Sequence, residues 1–307
     1  MTSVLVTGAA GFVGSRLVSR LAGDGCSVTS LTRTAHPHIS ADGVGADLAK
    51  AGHLDAVADA GLRFYTVVHL AGRVEIALVP GADAAAPPRP GAVADLARLY
   101  EDNVVATARL VSFCERTGVR HLVFASSQAV YGMPEPDQAF VESSPCRPLE
   151  HYAASKLACE QLLEVAARRG LGVTVLRFPG VYSETRAQGV VRRFCEAAVT
   201  SGAIVSSSVF PLPLDVLHVD DLVDAFSRAV AAPAVNFRRF NIATGSPCSL
   251  PLLAEEVAAL VPGCRVHHEG VPQPIVRMDA TKAQRELGWL PVAQRQRLRQ
   301  VIDAITP

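Results

Sequence analysis

Short runs of β-branched and aliphatic residues alternate along this chain with longer segments whose apolar residues recur at helical spacing. The first run, residues 4–7, ends at Gly8, and the apolar positions from Phe12 to Leu21 then repeat with the period of a helix. The same reasoning predicts strands at 28–31, 67–70, 122–125 and 173–178, and helices at 95–116, 152–169, 252–260, 281–287 and 294–304. Alternating strands and helices predict an α/β fold, a doubly wound parallel sheet with helices on both faces.

Two segments interrupt this alternation. An alanine- and proline-rich stretch at 80–91 is either an unstructured insertion or a mobile lid, and its composition favours the insertion. From Ser246 onward the chain is richer in proline, and short extended pieces separate its helices. We therefore predict a main domain over 1–177 and 214–244, with a smaller C-terminal lobe over 178–213 and 245–307.

Glycine recurs at Gly8, Gly11 and Gly14, between the first predicted strand and the first helix. Glycine permits unusual backbone angles, lets a pyrophosphate approach the chain and lets helix and strand pack closely, while the helix N-terminus faces the anion. Three glycines alone are a weak signal, but the strand–loop–helix context makes it specific. The main domain is therefore predicted to be Rossmann-type and to bind a nicotinamide dinucleotide, NAD(P).

The end of the second strand bears on the choice of cofactor. An acidic residue there would hydrogen-bond the adenosine ribose of NAD, whereas an arginine suits the 2′-phosphate of NADP. The chain has Thr32 and Arg33 and no carboxylate, so the sequence favours NADP, with a solvated surface arginine as the alternative. Asp47, followed by Leu48, is the first acidic residue after the next short strand, where it could meet the adenine amino group.

Tyr152 and Lys156 are four residues apart, so they share one face of the predicted helix. A phenol is a poor base near neutral pH, and a fixed positive charge nearby lowers its pKa toward the working range. With five tyrosines and three lysines, only about 0.05 such pairs are expected by chance. Ser127 follows the strand at 122–125, where it is either an ordinary turn residue or able to hold a substrate oxygen against Tyr152.

Composition excludes several classes of partner. Lys+Arg and Asp+Glu both number 29 in 307 residues, so nothing indicates a nucleic-acid partner. No apolar run is long enough to span a bilayer and no basic leader precedes the first strand, which predicts a cytoplasmic protein without a membrane partner. The seven cysteines are scattered and form no C-x-x-C pair, so we expect free thiols and no metal.

The chain resembles the extended short-chain dehydrogenases/reductases, in the NAD-dependent epimerase/dehydratase family, and is most similar to its nucleotide-sugar epimerases. The resemblance covers nearly the whole chain. Its motifs are TGAAGFVG at 7–14, HLAG at 69–72, Asn103 with Thr107, SSQAVYG at 126–132, Tyr152-x-x-x-Lys156, LRFPGVY at 176–182, HVDD at 218–221 and LGWLP at 287–291.

The resemblance implies a role for each matching residue. Tyr152 would be the acid/base, Lys156 would bind ribose and depress the pKa of Tyr152, and Ser127 would polarise the reacting oxygen. The implied cofactor-binding residues are Gly8, Gly11, Phe12, Val13, Gly14, Leu70, Ala71, Gly72, Pro179 and Val181, together with Tyr152 and Lys156. Asn103 would be structural, and the C-terminal lobe would bind a small-molecule substrate. The resemblance also implies a homodimer, built on the helices near 95–116 and 152–169.

Two departures from the family's pattern narrow the reaction. Gln128 and Ala129 stand where sugar-nucleotide 4,6-dehydratases carry an acidic pair, so elimination of water is disfavoured. Leu214 stands where the epimerases have an arginine that grips the diphosphate, and leucine cannot replace such a clamp. Gln128, Arg186 and Arg277 are then the candidate substrate residues.

We predict an NAD(P)-dependent oxidoreductase acting on a sugar-like secondary alcohol or ketone. A nucleotide-sugar epimerase that oxidises its substrate transiently to a keto intermediate is the first candidate. The alternative is an NADPH-dependent ketoreductase or dehydrogenase on a nucleotide-free or atypical sugar, which Arg33 and the missing arginine at Leu214 favour. A non-catalytic dinucleotide-sensing regulator on the same fold is the third, and Ser127, Tyr152 and Lys156 argue against it.

Overall fold

A computed structural model describes residues 2–33, 43–74, 92–135, 138–208 and 213–306. The alanine- and proline-rich stretch at 80–91 therefore lies outside the described residues. The strands are β1 (Ser3–Thr7), β2 (Ser27–Thr32), β3 (Gly43–Gly45), β4 (Thr66–His69), β5 (His121–Ala125), β6 (Gly172–Arg177), β7 (Gly180–Tyr182), β8 (Ala203–Ser208), β9 (Val216–His218), β10 (Phe237–Asn241) and β11 (Arg265–Gly270).

Seven of these strands form one sheet in the order β10-β6-β5-β4-β1-β2-β3. The pairings from β6 across to β3 are parallel. Every residue of β4, β5 and β6 is buried, as expected of strands covered on both faces. The strand order reverses at β1, whose neighbours are β2 and β4, and open α/β sheets bind ligands at the carboxyl ends of strands around such a point.

The helices follow the predicted apolar periodicity. They are α1 (Phe12–Gly23), α2 (His53–Asp59), α3 (Ala92–Tyr100), α4 (Ala106–Thr117), α5 (His151–Arg168), α6 (Val190–Ser201), α7 (Val219–Ala231), α8 (Leu250–Ala258), α9 (Thr281–Leu287) and α10 (Gln294–Asp303). In the part of the chain that the structure describes, no helix is long and apolar enough to cross a membrane.

The helix predicted at 95–116 is interrupted. A π-helical turn at Glu101–Val105 separates α3 from α4. Asn103 lies in this turn, where its amide oxygen accepts from the backbone of Arg73 (2.7 Å) and its amide nitrogen donates to Ser155 on α5 (2.9 Å). An uninterrupted α-helix was predicted because the apolar spacing carries no sign of these long-range hydrogen bonds.

The chain divides into two compact units. The first comprises Met1–Val130, Pro148–Arg177 and Val223–Phe240, and the second Tyr131–Arg147, Phe178–Leu222 and Asn241–Pro307. The boundaries differ from the predicted ones at 131–147, 214–222 and 241–244, which all belong to the second unit. The physical reason is pairing between segments that are distant in the chain: Phe140 bridges Met278, and β9 pairs with β7.

The second unit has its own apolar core. Two small parallel sheets, β7–β9 and β8–β11, pack with α6, α8 and α10 around buried residues such as Phe194, Leu253 and Leu298. Trp289 is fully buried and its indole nitrogen donates to the carbonyl of Asp221 at 2.9 Å.

Candidate functional site

The glycine loop lies at the carboxyl end of β1, where the strand order reverses. Gly8 has a left-handed φ of 70°, and a Cβ there would lie 2.7 Å from the backbone nitrogen of Ala71. A Cβ on Gly14 would lie 2.2 Å from the carbonyl oxygen of Gly8. These positions admit no side chain, so α1 packs directly against the end of β1 and the loop keeps its backbone open to a ligand.

The N-terminus of α1 faces the same loop. Gly11 is the N-cap, and no side chain caps the helix there. Phe12 and Val13 are the first two residues of α1, where the backbone amides and the helix dipole favour an anion. This cradle of side-chain-free backbone and helix start fits the pyrophosphate of a dinucleotide.

The segment after β4 lies beside the glycine loop. Leu70 donates its backbone N–H to the carbonyl of Thr7 (3.3 Å), and Ala71 donates to the hydroxyl of Thr7 (3.2 Å). A Cβ on Gly72 would lie 3.0 Å from Oδ1 of Asn103 and 3.4 Å from Nζ of Lys156. Residues of the glycine loop, of the segment after β4 and of α5 thus meet at one edge of the sheet.

The end of β2 says less about the choice between NAD and NADP than the sequence suggested. Thr32 is the last residue of β2 and is buried, while Arg33 follows it and is exposed. Asp47 accepts the backbone N–H of Ala49 at 3.1 Å, which closes a local turn. Leu48 is buried in the apolar core of the first unit, so it anchors the turn that contains Asp47.

Tyr152, Lys156 and Ser127 lie close together in the first unit, around the carboxyl end of β5. Lys156 is 5% exposed, donates from Nζ to the carbonyl of Ala125 at 2.9 Å, and lies 5.9 Å from the ring centre of Tyr152. Burial raises the pKa of Tyr152 to about 12, a change that the side chain of Ser127 opposes.

Burial also acts on the lysine. It lowers the pKa of the Lys156 ammonium, and the carboxylate of Glu160, one turn further along α5, opposes this by favouring the charged form. The ammonium also lies 4.9 Å from the ring centre of Phe124, whose face favours a cation. The positive charge is therefore held beside the phenol in a site that excludes water.

Sequence reasoning missed the residues that hold this group. Glu150 caps α5 by accepting the backbone N–H groups of Tyr152 (3.1 Å) and Ala153 (2.9 Å). A carboxylate two residues before the predicted helix start was a usable signal. Glu160 and Ser126 were also missed, and no local pattern could have found them because they lie 34 residues apart in the chain.

The candidate substrate residues are spread over both units. Gln128 begins a 3-10 turn, Gln128–Tyr131, in the first unit, and its side-chain oxygen is buried without a hydrogen-bond partner among the described residues. Arg186 and Arg277 are exposed in the second unit, where Arg186 donates to the carbonyl of Val181 at 2.8 Å. Pro179, buried beside β7, belongs to the same unit.

Glu184, His218 and Asp220 bring three possible metal-ligand atoms within 4.8 Å of one another in the second unit. Each ring nitrogen of His218 already has a partner. The backbone N–H of Asp220 approaches Nδ1 at 3.3 Å, and Nε2 lies 3.2 Å from the carboxylate of Glu184. Arg297 lies 3.5 Å from Asp220 and would repel a cation. The contacts of His218 and Asp220 at the start of α7 therefore account for this cluster.

Residues 4–243 match the NAD dependent epimerase/dehydratase family, and the chain belongs to this family. It is 32% identical to a UDP-glucose 4-epimerase of Mycolicibacterium smegmatis, over 94% of this chain and 93% of that protein. It is 29% identical to a UDP-glucose 4-epimerase of Streptomyces lividans, over 94% and 91%. The resemblance to extended short-chain dehydrogenases/reductases is confirmed.

Solved structures agree with the observed fold. MoeE5 in complex with UDP-glucuronic acid and NAD is 31% identical, with a TM-score of 0.76 over 98% of each chain. The UDP-glucose 4-epimerase of Thermus thermophilus, in complex with NAD, has a TM-score of 0.78 over 99% of each chain at 24% identity. The predicted Rossmann-type α/β fold is confirmed. The preference for NADP drawn from Thr32 and Arg33 is not supported, since the cofactor in the MoeE5 complex is NAD.

Proposed function

We propose that this chain is an NAD-dependent nucleotide-sugar epimerase that works by transient oxidation of a sugar hydroxyl. The observation that carries the proposal is the assembly of Ser127, Tyr152 and Lys156 at the edge of the sheet that also holds the glycine cradle. Membership of the epimerase/dehydratase family supports it, as do relatives described as UDP-glucose 4-epimerases. The absence of carboxylates at Gln128 and Ala129 favours epimerisation over dehydration.

NAD, when bound, supplies a hydride acceptor that can return the hydride to the other face of the sugar. Tyr152 removes the proton from the reacting hydroxyl and later returns it to the keto oxygen. Ser127 holds that oxygen within reach of the phenol. Lys156 supplies a positive charge 5.9 Å from the ring centre of Tyr152, and such a charge favours the ionised phenol.

The test is conversion of UDP-glucose, with UDP-glucuronic acid as a second substrate, by purified protein and by two tyrosine variants. Tyr152→Phe should lower kcat by roughly 10²–10⁴ while leaving NAD binding nearly intact, because only the acid/base is lost. Tyr65→Phe is the matched control, since Tyr65 is 48% exposed, and should keep full activity. Full activity in Tyr152→Phe would refute the mechanism.

The same proposal specifies NAD rather than NADP. Arg33 is exposed, and the cofactor in the related MoeE5 structure is NAD. Calorimetric titration should give a lower Kd for NAD⁺ than for NADP⁺, and Arg33→Ala should leave the Kd for NAD⁺ unchanged. A preference for NADP⁺ that Arg33→Ala abolishes would show instead that Arg33 pairs with the 2′-phosphate.

A reductase acting on a sugar without a nucleotide is the second candidate. Leu214 favours it, because this leucine is half-buried and packs on the apolar core of the second unit, where it offers no hydrogen bond to a diphosphate. Cofactor that remains bound through purification supports the epimerase, whereas cofactor that washes off and is consumed stoichiometrically supports the reductase.

The homodimer and the cytoplasmic location complete the proposal. Val105, beside α4, and Val165 on α5 are 38% and 56% exposed, and both belong to the helices expected to form the subunit contact. Val165→Arg should convert a dimer into a monomer in light scattering. A cytoplasmic location agrees with the finding that the seven cysteines form no disulfide among the described residues, and it is tested by cell fractionation.

A further inference from the structure

One buried carboxylate joins the catalytic helix to the strands beside it. Glu160 is fully buried on α5 and accepts from Ser126 Oγ at 2.5 Å. Arg177, the last residue of β6, donates to it from Nε and Nη2 at 2.9 and 2.6 Å, and Arg239 on β10 donates at 2.9 Å. Both carboxylate oxygens are thus hydrogen-bonded, and two positively charged guanidinium groups contact this one carboxylate.

This carboxylate lies one turn beyond Lys156 and two turns beyond Tyr152 on the same helix. Its partner Ser126 stands between Ala125, whose carbonyl accepts from Lys156, and Ser127, whose side chain acts on the pKa of Tyr152. The backbone N–H of Ser126 donates to the carbonyl of Leu176 at 2.8 Å. The two residues before the catalytic serine are therefore tied to α5, and the second of them is also tied to β6.

We propose that Glu160 and Ser126 are positioning residues, whose hydrogen bond sets the distance between Ser127 and the Tyr152–Lys156 pair. The proposal rests on the proposed function in taking those three residues as the reacting group. A directional, charge-assisted hydrogen bond suits this task, because apolar packing alone would let the segment slide along the helix.

An ordinary stability role is the competing explanation. Buried ion pairs add little net stability over apolar packing, and removing one partner is costly wherever the pair lies. The two roles differ in what they predict for a small change. A positioning role predicts a loss of kcat that an equal loss of stability elsewhere in the sheet does not produce, with cofactor affinity unchanged, whereas a stability role predicts a lower Tm with kcat unchanged.

Ser126→Ala is the first test, because it removes only the hydroxyl. We expect kcat to fall about tenfold or more, with KM within about twofold and the Kd for NAD⁺ unchanged. Thr174→Val is the matched control. Thr174 is a fully buried residue of β6, and its hydroxyl is hydrogen-bonded at 2.9 Å to His121, the first residue of β5. This variant should lower Tm about as much as Ser126→Ala does and leave kcat unchanged. Equal kcat values for the two variants would overturn the proposal.

Glu160→Gln with bound NAD⁺ gives a readout that needs no substrate. The pKa of Tyr152 is measured from the absorbance at 295 nm, as the difference from Tyr152→Phe. This pKa should shift in Glu160→Gln and Ser126→Ala and remain unchanged in Thr174→Val. No shift in the first two variants would refute the positioning role even if the enzyme epimerises nucleotide sugars. A shift in a protein that epimerises none would instead refute the proposed function and leave the positioning role standing.

Discussion

The phenol of Tyr152 lies in surroundings that oppose its ionisation. Burial raises its pKa to about 12, and the nearby carboxyl of Glu150 acts in the same direction. The ammonium of Lys156 is held close by the carbonyl of Ala125, so its charge cannot move away when the phenol ionises. Because a positive charge favours the ionised phenol, we expect Lys156 to help Tyr152 work as a base.

Replacing this lysine should change the pH dependence of turnover. Tyr152 acts as a base when ionised, so activity rises with pH through its pKa, and loss of a neighbouring positive charge raises that pKa. In Lys156→Gln the rising limb of kcat/KM should move upward by about one pH unit or more. Lys50→Gln, which changes an exposed lysine, is the control and should give an unshifted profile.

At the scale of the element, α1 shows how one helix serves both packing and binding. Its N-terminal glycines, Gly11 and Gly14, pass so close to the carbonyl of Gly8 that a Cβ would lie 3.1 and 2.2 Å from it. Gly23, the last residue of the same helix, has no heavy atom within 4 Å of an added Cβ. The same residue type is therefore required at one end of α1 and dispensable at the other.

A pair of glycine-to-alanine variants tests this difference. Gly14→Ala should cost about 1–3 kcal/mol of unfolding free energy, because backbone must move to admit the methyl group, and should abolish NAD⁺ binding. Gly23→Ala should leave binding intact and raise stability by about 0.5–1 kcal/mol. Denaturant unfolding and NAD⁺ titration measure both effects. Equal behaviour of the two variants would contradict the proposed close approach.

At the scale of the whole molecule, buried histidines make stability depend on pH. His69, which ends β4 between the hydroxyls of Thr7 and Thr107, has its pKa lowered by burial to about 3. Burial lowers the pKa of His121, at the start of β5, to about 4. Both histidines stay neutral in the fold, whereas in the unfolded chain they become charged below about pH 6.5. Their contribution to the stability of the fold is therefore fully present above that pH and is lost as the pH falls.

Acidification from pH 7 to pH 5 should therefore cost about 2 kcal/mol for each of these histidines. In His121→Gln the loss over this interval should be smaller by about that amount, although the variant is less stable at pH 7. His267→Gln, at an exposed position, should retain the full pH dependence. Urea unfolding followed by far-ultraviolet circular dichroism at both pH values measures the difference. Parallel pH dependence in all three proteins would contradict the assignment.

Features that depend on neighbours in the chain could be predicted from the sequence. The β–α alternation, the glycine cradle and the Tyr152–Lys156 face follow from periodicity and spacing, and the family was identified from such motifs. Thr32 and Arg33 were the least reliable of these signals, because the type of residue after a strand end does not indicate which cofactor binds until its surroundings are known. The NADP preference drawn from them was not supported.

Contacts between distant residues were decided only by the tertiary structure. Glu160 meets Ser126, Arg177 and Arg239 across 34, 17 and 79 positions of the chain, and Asn103 reaches Ser155 across 52. The π turn at Glu101–Val105 and the place of 131–147 in the second unit depend on such long-range pairing. Periodicity and spacing describe one segment at a time, so the sequence by itself determined which residues could react. The fold decided what holds them in place.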